Sequence, residues 1–217
     1  MRYYPVFLDL QDRPCLVIGR GPVADEKAAL LERAGAQVRR SDHFDPEEVR
    51  NSFLIVAVLE DPELGREVKE FGDRNRIFVN VFDQTENCSF IAPAIVDRGN
   101  LLIAISTSGK SPALASRIRR ELEDQFGYEY SDLLEALAEI RPLVKERFHS
   151  FEERKDFYVH LIQMDLLETL KTEGLESVRT RIKKELEGRD DKEDDKGESL
   201  TLEDWEGLSG WCWSGRS

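Results

Sequence analysis

The stretch Pro14-Cys-Leu-Val-Ile-Gly19-Arg-Gly21-Pro-Val-Ala24 constrains this chain more than any other. An apolar run, Cys15 to Ile18, ends in Gly-x-Gly-x-x-Ala, and a helix-patterned segment up to Gly35 follows at once. A strand, a glycine turn and a helix in that order bring a pyrophosphate to a helix N-terminus. Gly19 permits the tight turn, Gly21 lets the backbone approach the phosphates, and Ala24 is small enough for close helix–strand packing. The free N–H groups and the positive end of the helix dipole then face the anion. Pro22 fits there because the first helical turn has no use for its missing N–H. The same pattern also suits a glycine turn in another kind of α/β protein, so the rest of the chain has to decide.

The 217 residues suffice for one large domain or two small ones. No run approaches the ~20 apolar residues of a membrane span, and the first residues carry no signal-peptide-like apolar core. Cys15, Cys88 and Cys212 are odd in number and lack Cys-x-x-Cys spacing, which argues against a disulfide framework and a structural zinc site. The expectation is a cytoplasmic protein without a membrane partner. A formal charge of −13 argues against nucleic acid as a partner, because phosphate binding wants a basic surface. The excess is uneven: Glu185–Ser217 holds eleven acidic against four basic residues. The rest is only mildly acidic and leaves room for local basic patches.

Along the chain, Tyr4–Leu10 alternates as a short opening segment before the strand Cys15–Ile18. A helix runs from Pro22 to about Ala34, Gly35 stops it, and Gln37–Arg40 reads as the second strand. Asp45-Pro46 starts a short helix, and Phe53–Val58 is the continuous apolar run of a parallel strand buried on both faces. Asp61-Pro62 opens a helix to about Asn75, and Ile77–Phe82 is a further strand. This alternation predicts an α/β fold over residues 1–88, a Rossmann-like parallel sheet with helices on both faces. After Asp83 the pattern changes. Ser89–Asp97 and Leu101–Ser106, joined by Arg98-Gly99-Asn100, read as a hairpin, and Ser111-Pro112 caps a helix to about Gln125. Residues 128–187 read as a small all-helical domain with breaks near Ser150 and Gly174. Residues 188–217 read as an acidic tail too charged to pack, whose Trp205, Trp211 and Trp213 either dock or fray.

Several residues have the right place for chemistry. Dinucleotide enzymes put an acid about twenty residues beyond the glycines, on the ribose hydroxyls, and Asp42 fits, with Ser41 and His43 as rivals. Arg39 and Arg40 leave room for a 2′-phosphate, so NAD is favoured over NADP only modestly. Asp83 ends a parallel strand, where open α/β sheets bind ligands and a carboxylate can act as a general base; aspartate is also a common turn residue there. Ser106-Thr-Ser108-Gly-Lys110-Ser111-Pro is a second phosphate-like loop before a helix, followed by Arg117, Arg119 and Arg120. It reads as an anion site or as a solvated helix face. No cysteine or carboxylate partner completes a ligand set for His149 and His160, so they are assigned no metal. Neither a Ser–His–acid order nor a Walker lysine supports a hydrolase.

At this point the residues match a family. Pro5-Val-Phe-Leu-Asp-Leu with Val17-Ile-Gly-x-Gly-x-Val-Ala-x-x-Lys27 resembles the opening of the precorrin-2 dehydrogenase domain of siroheme synthases. So do Asn80-Val-x-Asp83, Ser89-Phe-Ile-x-Pro93-Ala and Ile105-Ser-Thr-x-Gly-Lys-Ser-Pro112. The likeness covers residues 3–125 in order and continues more weakly to about 187. It implies an enzyme that oxidises precorrin-2 to sirohydrochlorin with NAD⁺, some members also inserting Fe²⁺ to give siroheme. It implies that Asp83 is the catalytic aspartate, that Gly19, Gly21, Pro22 and Val23 hold the cofactor, and that His43 and Phe44 lie near its adenosine end. It further implies a homodimer formed through the segment after the nucleotide domain, residues 89–127. The substrate carries eight carboxylates, which an acidic protein should repel. The cluster Lys110, Arg117, Arg119 and Arg120, with Arg98 and the loop hydroxyls of Ser108 and Ser111, is the expected counter-charge.

Three departures from the family pattern stand out. The stretch between Val38 and Phe53 is short by about a helix and a strand. Ala57-Val-Leu-Glu-Asp61 replaces the usual Ala-Ala-Thr-Asp-Asp, losing a hydroxyl near the cofactor. Arg20 replaces the middle glycine of a frequent Gly-Gly-Gly, and its side chain must point away from the pyrophosphate or clamp it. A chelatase without redox competence and a non-catalytic tetrapyrrole or nucleotide sensor are the competing readings.

Overall fold

A computed structural model describes residues 3–188, in two compact units. Among the described residues, one comprises residues 3–95 with Ala104–Arg120, and the other Val96–Ile103 with residues 121–188. The expectations for residues 189–217, Cys212 and the three tryptophans included, lie outside the described residues.

The first unit is built on four parallel strands: β1 (Pro14–Ile18), β2 (Gln37–Ser41), β3 (Leu54–Ala57) and β4 (Phe78–Val81). Their order in the sheet is β2-β1-β3-β4, with Cys15 opposite Val38 on one side and Leu54 on the other. Strand residues alternate between the two faces, and each face is closed by different helices. Leu16, Ile18, Ile55, Ala57, Val79 and Val81 pack with Val68 and Phe71 of α3 (Pro62–Asn75) and Val49 of α2 (Pro46–Val49). Cys15, Val17, Leu54 and Val56 pack with Ala24, Ala28 and Leu31 of α1 (Pro22–Arg33). Helices on both faces follow from geometry. The chain leaves β1 sideways to β2, then steps from β3 in the opposite direction to β4, and right-handed crossovers put α1 and α3 on opposite faces.

The helix starts obey local chemistry. Asp45 and Asp61 accept from the N–H groups of Glu47 and Glu63, each followed by a proline in the first turn. Between β2 and β3 the chain has only α2, so β2 is an outer edge of the sheet. The opening segment forms no strand: Tyr4, Val6 and Phe7 are exposed, and Leu10 is its buried anchor under β1. After β4 come a single 3-10 turn (Thr85–Asn87), then β5 (Ala94–Arg98) and β6 (Leu101–Ile105), which pair as the expected hairpin, then α4 (Pro112–Gln125). The division between the two units runs through both the hairpin and α4.

The second unit holds α5 (Glu129–Glu139), α6 (Arg141–Arg147), α7 (Phe151–Gln163), α8 (Leu166–Glu173) and α9 (Leu175–Glu187). The breaks at Ser150 and Gly174 fall where expected. Ser150 forms a reciprocal capping box with Glu153, and Gly174 takes a φ of 85°. Two more breaks were not anticipated, one at Ile140 before Arg141-Pro142 and one at Asp165, whose φ is 52°. The core joins Ala136, Ile140, Val144, Phe157, Leu161, Val178 and Ile182. Phe157, fully buried, is the largest of them. Phe157→Ala is expected to lower the stability of this unit by about 3–5 kcal/mol. Hydrogen exchange on the variant should show the loss in α5–α9 and not in the strands of the sheet.

Candidate functional site

The glycine turn sits where the sheet reverses direction, beyond the carboxyl ends of β1 and β3, the place where open α/β sheets form a ligand crevice. Gly19 has a φ of 113°, and a Cβ there would lie 2.3 Å from the Val58 carbonyl oxygen. No side chain fits between the two strand ends. The Gly19 N–H donates to the Ser41 carbonyl at 2.9 Å and the Val58 N–H to the Ile18 carbonyl at 2.8 Å, so the ends of β1, β2 and β3 are tied together. Gly21 differs: its φ of 91° demands glycine, but a Cβ would meet nothing within 4 Å. That open space lies directly before α1, whose first-turn N–H groups have no partners within the helix. The donors, the space and the left-handed glycines fit a pyrophosphate.

Around this cradle the structure sorts the expected cofactor residues. Pro22 takes the first helical position and Val23 is half-buried behind the turn. Asp42, just past β2, is bound by the Arg20 guanidinium, which holds its carboxyl below the usual carboxylate range and therefore ionised. Arg40 pairs in the same way with Asp25 of α1, and Arg39 donates to the Glu48 carbonyl. His43 is exposed, and its carbonyl accepts from the Ser41 hydroxyl at 2.8 Å. The Phe44 ring, half-buried, packs edge-on to Phe71 at 5.6 Å against the core. A groove of about 420 Å³ lined by Pro14, Gln37, Arg39 and Glu48 lies at the start of β1 and β2, away from the glycine turn.

Asp83 ends β4 in the left-handed region, φ 60°, with its side chain exposed. Its neighbours hold it there. Gln84 and Asn87 are buried, although both are polar, and satisfy each other: Asn87 Nδ2 donates to Gln84 Oε1 at 2.8 Å. Gln84 Nε2 reaches the Leu59 carbonyl at 3.1 Å and Asn87 Nδ2 the Pro62 carbonyl at 3.3 Å. The Asp83 turn is thereby fastened to the end of β3 and the start of α3. Gly65 of α3 makes the room, since a Cβ there would lie 2.1 Å from Gln84 Oε1. Sequence reasoning missed this network, and the one signal for it was a glycine inside a well-capped helix.

The second candidate loop lies beside the Asp83 turn: a Cβ on Gly109 would touch the Thr85 side chain at 3.6 Å. Ser108 and Gly109 are both left-handed. The loop's amides are engaged within it, Ser108 N–H with the Ser106 hydroxyl, Lys110 N–H with the Thr107 carbonyl and Ser111 N–H with the Thr107 hydroxyl. Ser111 Oγ accepts from Leu114 N–H, which is a helix cap. Beside these three engaged amides the loop carries charged side chains. Lys110 is exposed, and Arg117 and Arg120 stand one turn apart on α4, while Arg119, half-buried, points to a different side of that helix.

Arg98 belongs to the other unit and has a different role. Its nitrogens donate to the carbonyls of Phe126, Glu123 and Asp97, and its guanidinium lies over the Tyr128 ring at 5.1 Å. It closes the end of α4. His160 pairs with Glu185 at 2.9 Å. No group of three or more metal-ligating side chains occurs among the described residues, and no described helix is long and apolar enough to cross a membrane.

The family models that match this chain are described as putative NAD(P)-binding, over residues 6–40 and 38–94, sirohaem biosynthesis protein central, over 98–125, and sirohaem synthase dimerisation region, over 129–186. The first matches in two pieces that meet at β2, where the connection to β3 is short. The chain is 35% identical over 210 residues to a siroheme synthase of Methylobacillus flagellatus, a match covering 87% of this chain and 45% of that protein. It is 32% identical over 214 residues to siroheme synthase 1 of Pectobacterium atrosepticum, covering 89% and 45%. The chain thus spans about 45% of the length of these curated relatives. A solved structure described as SirC, precorrin-2 dehydrogenase, matches with a TM-score of 0.62 at 25% identity, over 84% of this chain and 100% of that one. With the three regions following one another from residue 6 to 186, the chain belongs to the sirohaem synthase family, of which it carries the NAD(P)-binding, central and dimerisation regions.

Proposed function

We propose that this chain oxidises precorrin-2 to sirohydrochlorin with NAD⁺ as hydride acceptor, acting as a homodimer. The observation that carries the reading is a single sheet edge. The glycine turn ends β1 and Asp83 ends β4, on either side of β3, so a cofactor cradle and an exposed carboxylate share the carboxyl edge. The siroheme synthases related to the chain, and the precorrin-2 dehydrogenase whose fold it shares, support the reaction class. The matched dimerisation region supports the homodimer.

Gly21 and the first turn of α1 would hold the pyrophosphate, and Asp42 the adenosine ribose. Bound there, NAD⁺ supplies the two-electron oxidant. Oxidation also removes a proton from the macrocycle, and the Asp83 carboxylate takes it. Gln84 and Asn87 keep that carboxylate at the end of β4 while the macrocycle changes shape. The substrate's carboxylates have to be held by a protein of net charge −13, and Lys110, Arg117, Arg119 and Arg120 with Ser108 supply the local positive field. Arg98 is left out, its nitrogens being committed to carbonyls. We extend the proposal to Fe²⁺ as a second substrate, with Asp83 accepting in turn the pyrrole protons that metal insertion releases.

Asp83→Asn tests the central step. Asparagine tolerates the left-handed φ of 60°, so the turn should survive. In anaerobic turnover of precorrin-2 with NAD⁺, followed by NADH and sirohydrochlorin absorbance, kcat is expected to fall about 10²–10⁴-fold with the KM for NAD⁺ unchanged. A wild-type rate in the variant would put the base elsewhere. No NADH even from the wild type would favour a chelatase or a sensor, which adding Fe²⁺ or Co²⁺ to sirohydrochlorin separates. Gln84→Ala leaves the Asn87 amide short of a partner and should cost about 1–3 kcal/mol of stability. It should also lower kcat more than it changes either KM.

A further inference from the structure

Arg20 occupies a position where a large side chain has no packing task. It lies between two left-handed glycines, its side chain 78% exposed, and it reaches across the mouth of the crevice to Asp42. The pair joins the phosphate turn at the end of β1 to the end of β2, so both partners stand at the cofactor's place, one beside the pyrophosphate cradle and one at the ribose. Asp42 can serve the ribose hydroxyls only with its carboxylate turned to them. Two exposed side chains hold each other weakly, so an arriving ligand can part them. The rest of the crevice is lean. Leu59 stands where the family pattern has a threonine hydroxyl, and the sheet ends at β2.

We propose that Arg20 is a side-chain grip on the cofactor's pyrophosphate, parked on Asp42 until the dinucleotide arrives, and that binding exchanges the partners. Asp42 passes from the guanidinium to the ribose hydroxyls, and the guanidinium passes to the pyrophosphate. The planar fork of arginine matches two phosphate oxygens at once, which a glycine at this position cannot do. The same pair sets the choice of dinucleotide. A 2′-phosphate arriving at the ribose end meets the Asp42 carboxylate, and removing that charge leaves Arg40 to receive it. The inference rests on the reading of the crevice as an NAD site.

The test is a set of equilibrium titrations of the full chain, with NADH fluorescence as signal and NAD⁺, NADP⁺, ADP and adenosine as competitors. Arg20→Gly installs the glycine frequent at this position in the family pattern and removes only a mostly exposed side chain, so folding is not at issue. Losing a charge-assisted phosphate contact should weaken NAD⁺ and ADP about 10–100-fold and leave adenosine unchanged or tighter. The salt dependence of NAD⁺ binding should flatten, and Arg20→Lys should fall between. Asp42→Asn should raise the affinity for NADP⁺ relative to NAD⁺ by about tenfold or more. Unchanged or tighter NAD⁺ binding in Arg20→Gly would overturn the proposal, making Arg20 only a competitor for Asp42. Equal losses for adenosine and NAD⁺ would also overturn it. A wild type that binds none of the four removes the NAD reading itself, and the proposal with it.

Discussion

The approach of Gly19 to the Val58 carbonyl governs the first unit. Two parallel strands diverge there, one chain turning into α1 and the other into α3, and the gap between them admits a backbone hydrogen atom but no side chain. Any larger residue would have to displace the Val58 carbonyl, next to the Val58–Ile18 hydrogen bond that joins β3 to β1. Because the two strand ends stay in contact, the turn that follows has to rise over the sheet edge, and Gly21 then opens the space in front of α1. The cradle is thus a consequence of how closely two strands pack.

Everything else in the candidate site is fixed relative to that point by hydrogen bonds along the sheet edge. Gln84 and Asn87 tie the end of β4 to the end of β3, which the Val58 amide ties to β1. The candidate base is therefore carried by a rigid edge and not by a free loop, although its side chain is exposed. The Ser106–Ser111 loop engages three of its own amides and lies against Thr85, beside the charged side chains that follow it. A protein with a strong overall negative charge then attracts a polyanion only where those cations are concentrated.

The parts legible in the sequence are those set by neighbours in the chain. The apolar run Cys15–Ile18, the two glycines and the Asp-Pro starts of α2 and α3 act locally, and the elements from β1 to β4 lie within a residue or two of their expected places, whereas β5 begins at Ala94, five residues past the expected Ser89. The shortened connection after Val38 likewise left β2 at the edge of a four-stranded sheet. The parts that were not legible depend on residues distant in sequence. Gln84 and Asn87 look like ordinary turn residues until Gly65 is seen to admit them. The contact of Phe44 with Phe71 and the hold of Arg98 on the end of α4 likewise join residues far apart in the chain. The break before Arg141-Pro142 did have a local signal, the proline, and a longer helix was read through it.

The central claim, that the dinucleotide enters between the ends of β1 and β3, is open to a direct measurement. Amide hydrogen exchange of the full chain, with and without saturating NAD⁺, reads the backbone of the cradle itself. The account predicts slower exchange in Gly19–Ala24, Ser41–Phe44 and Val58–Glu60, with α5–α9 changed little. Protection absent from all three segments, or confined to the groove beside Pro14 and Gln37, would contradict it.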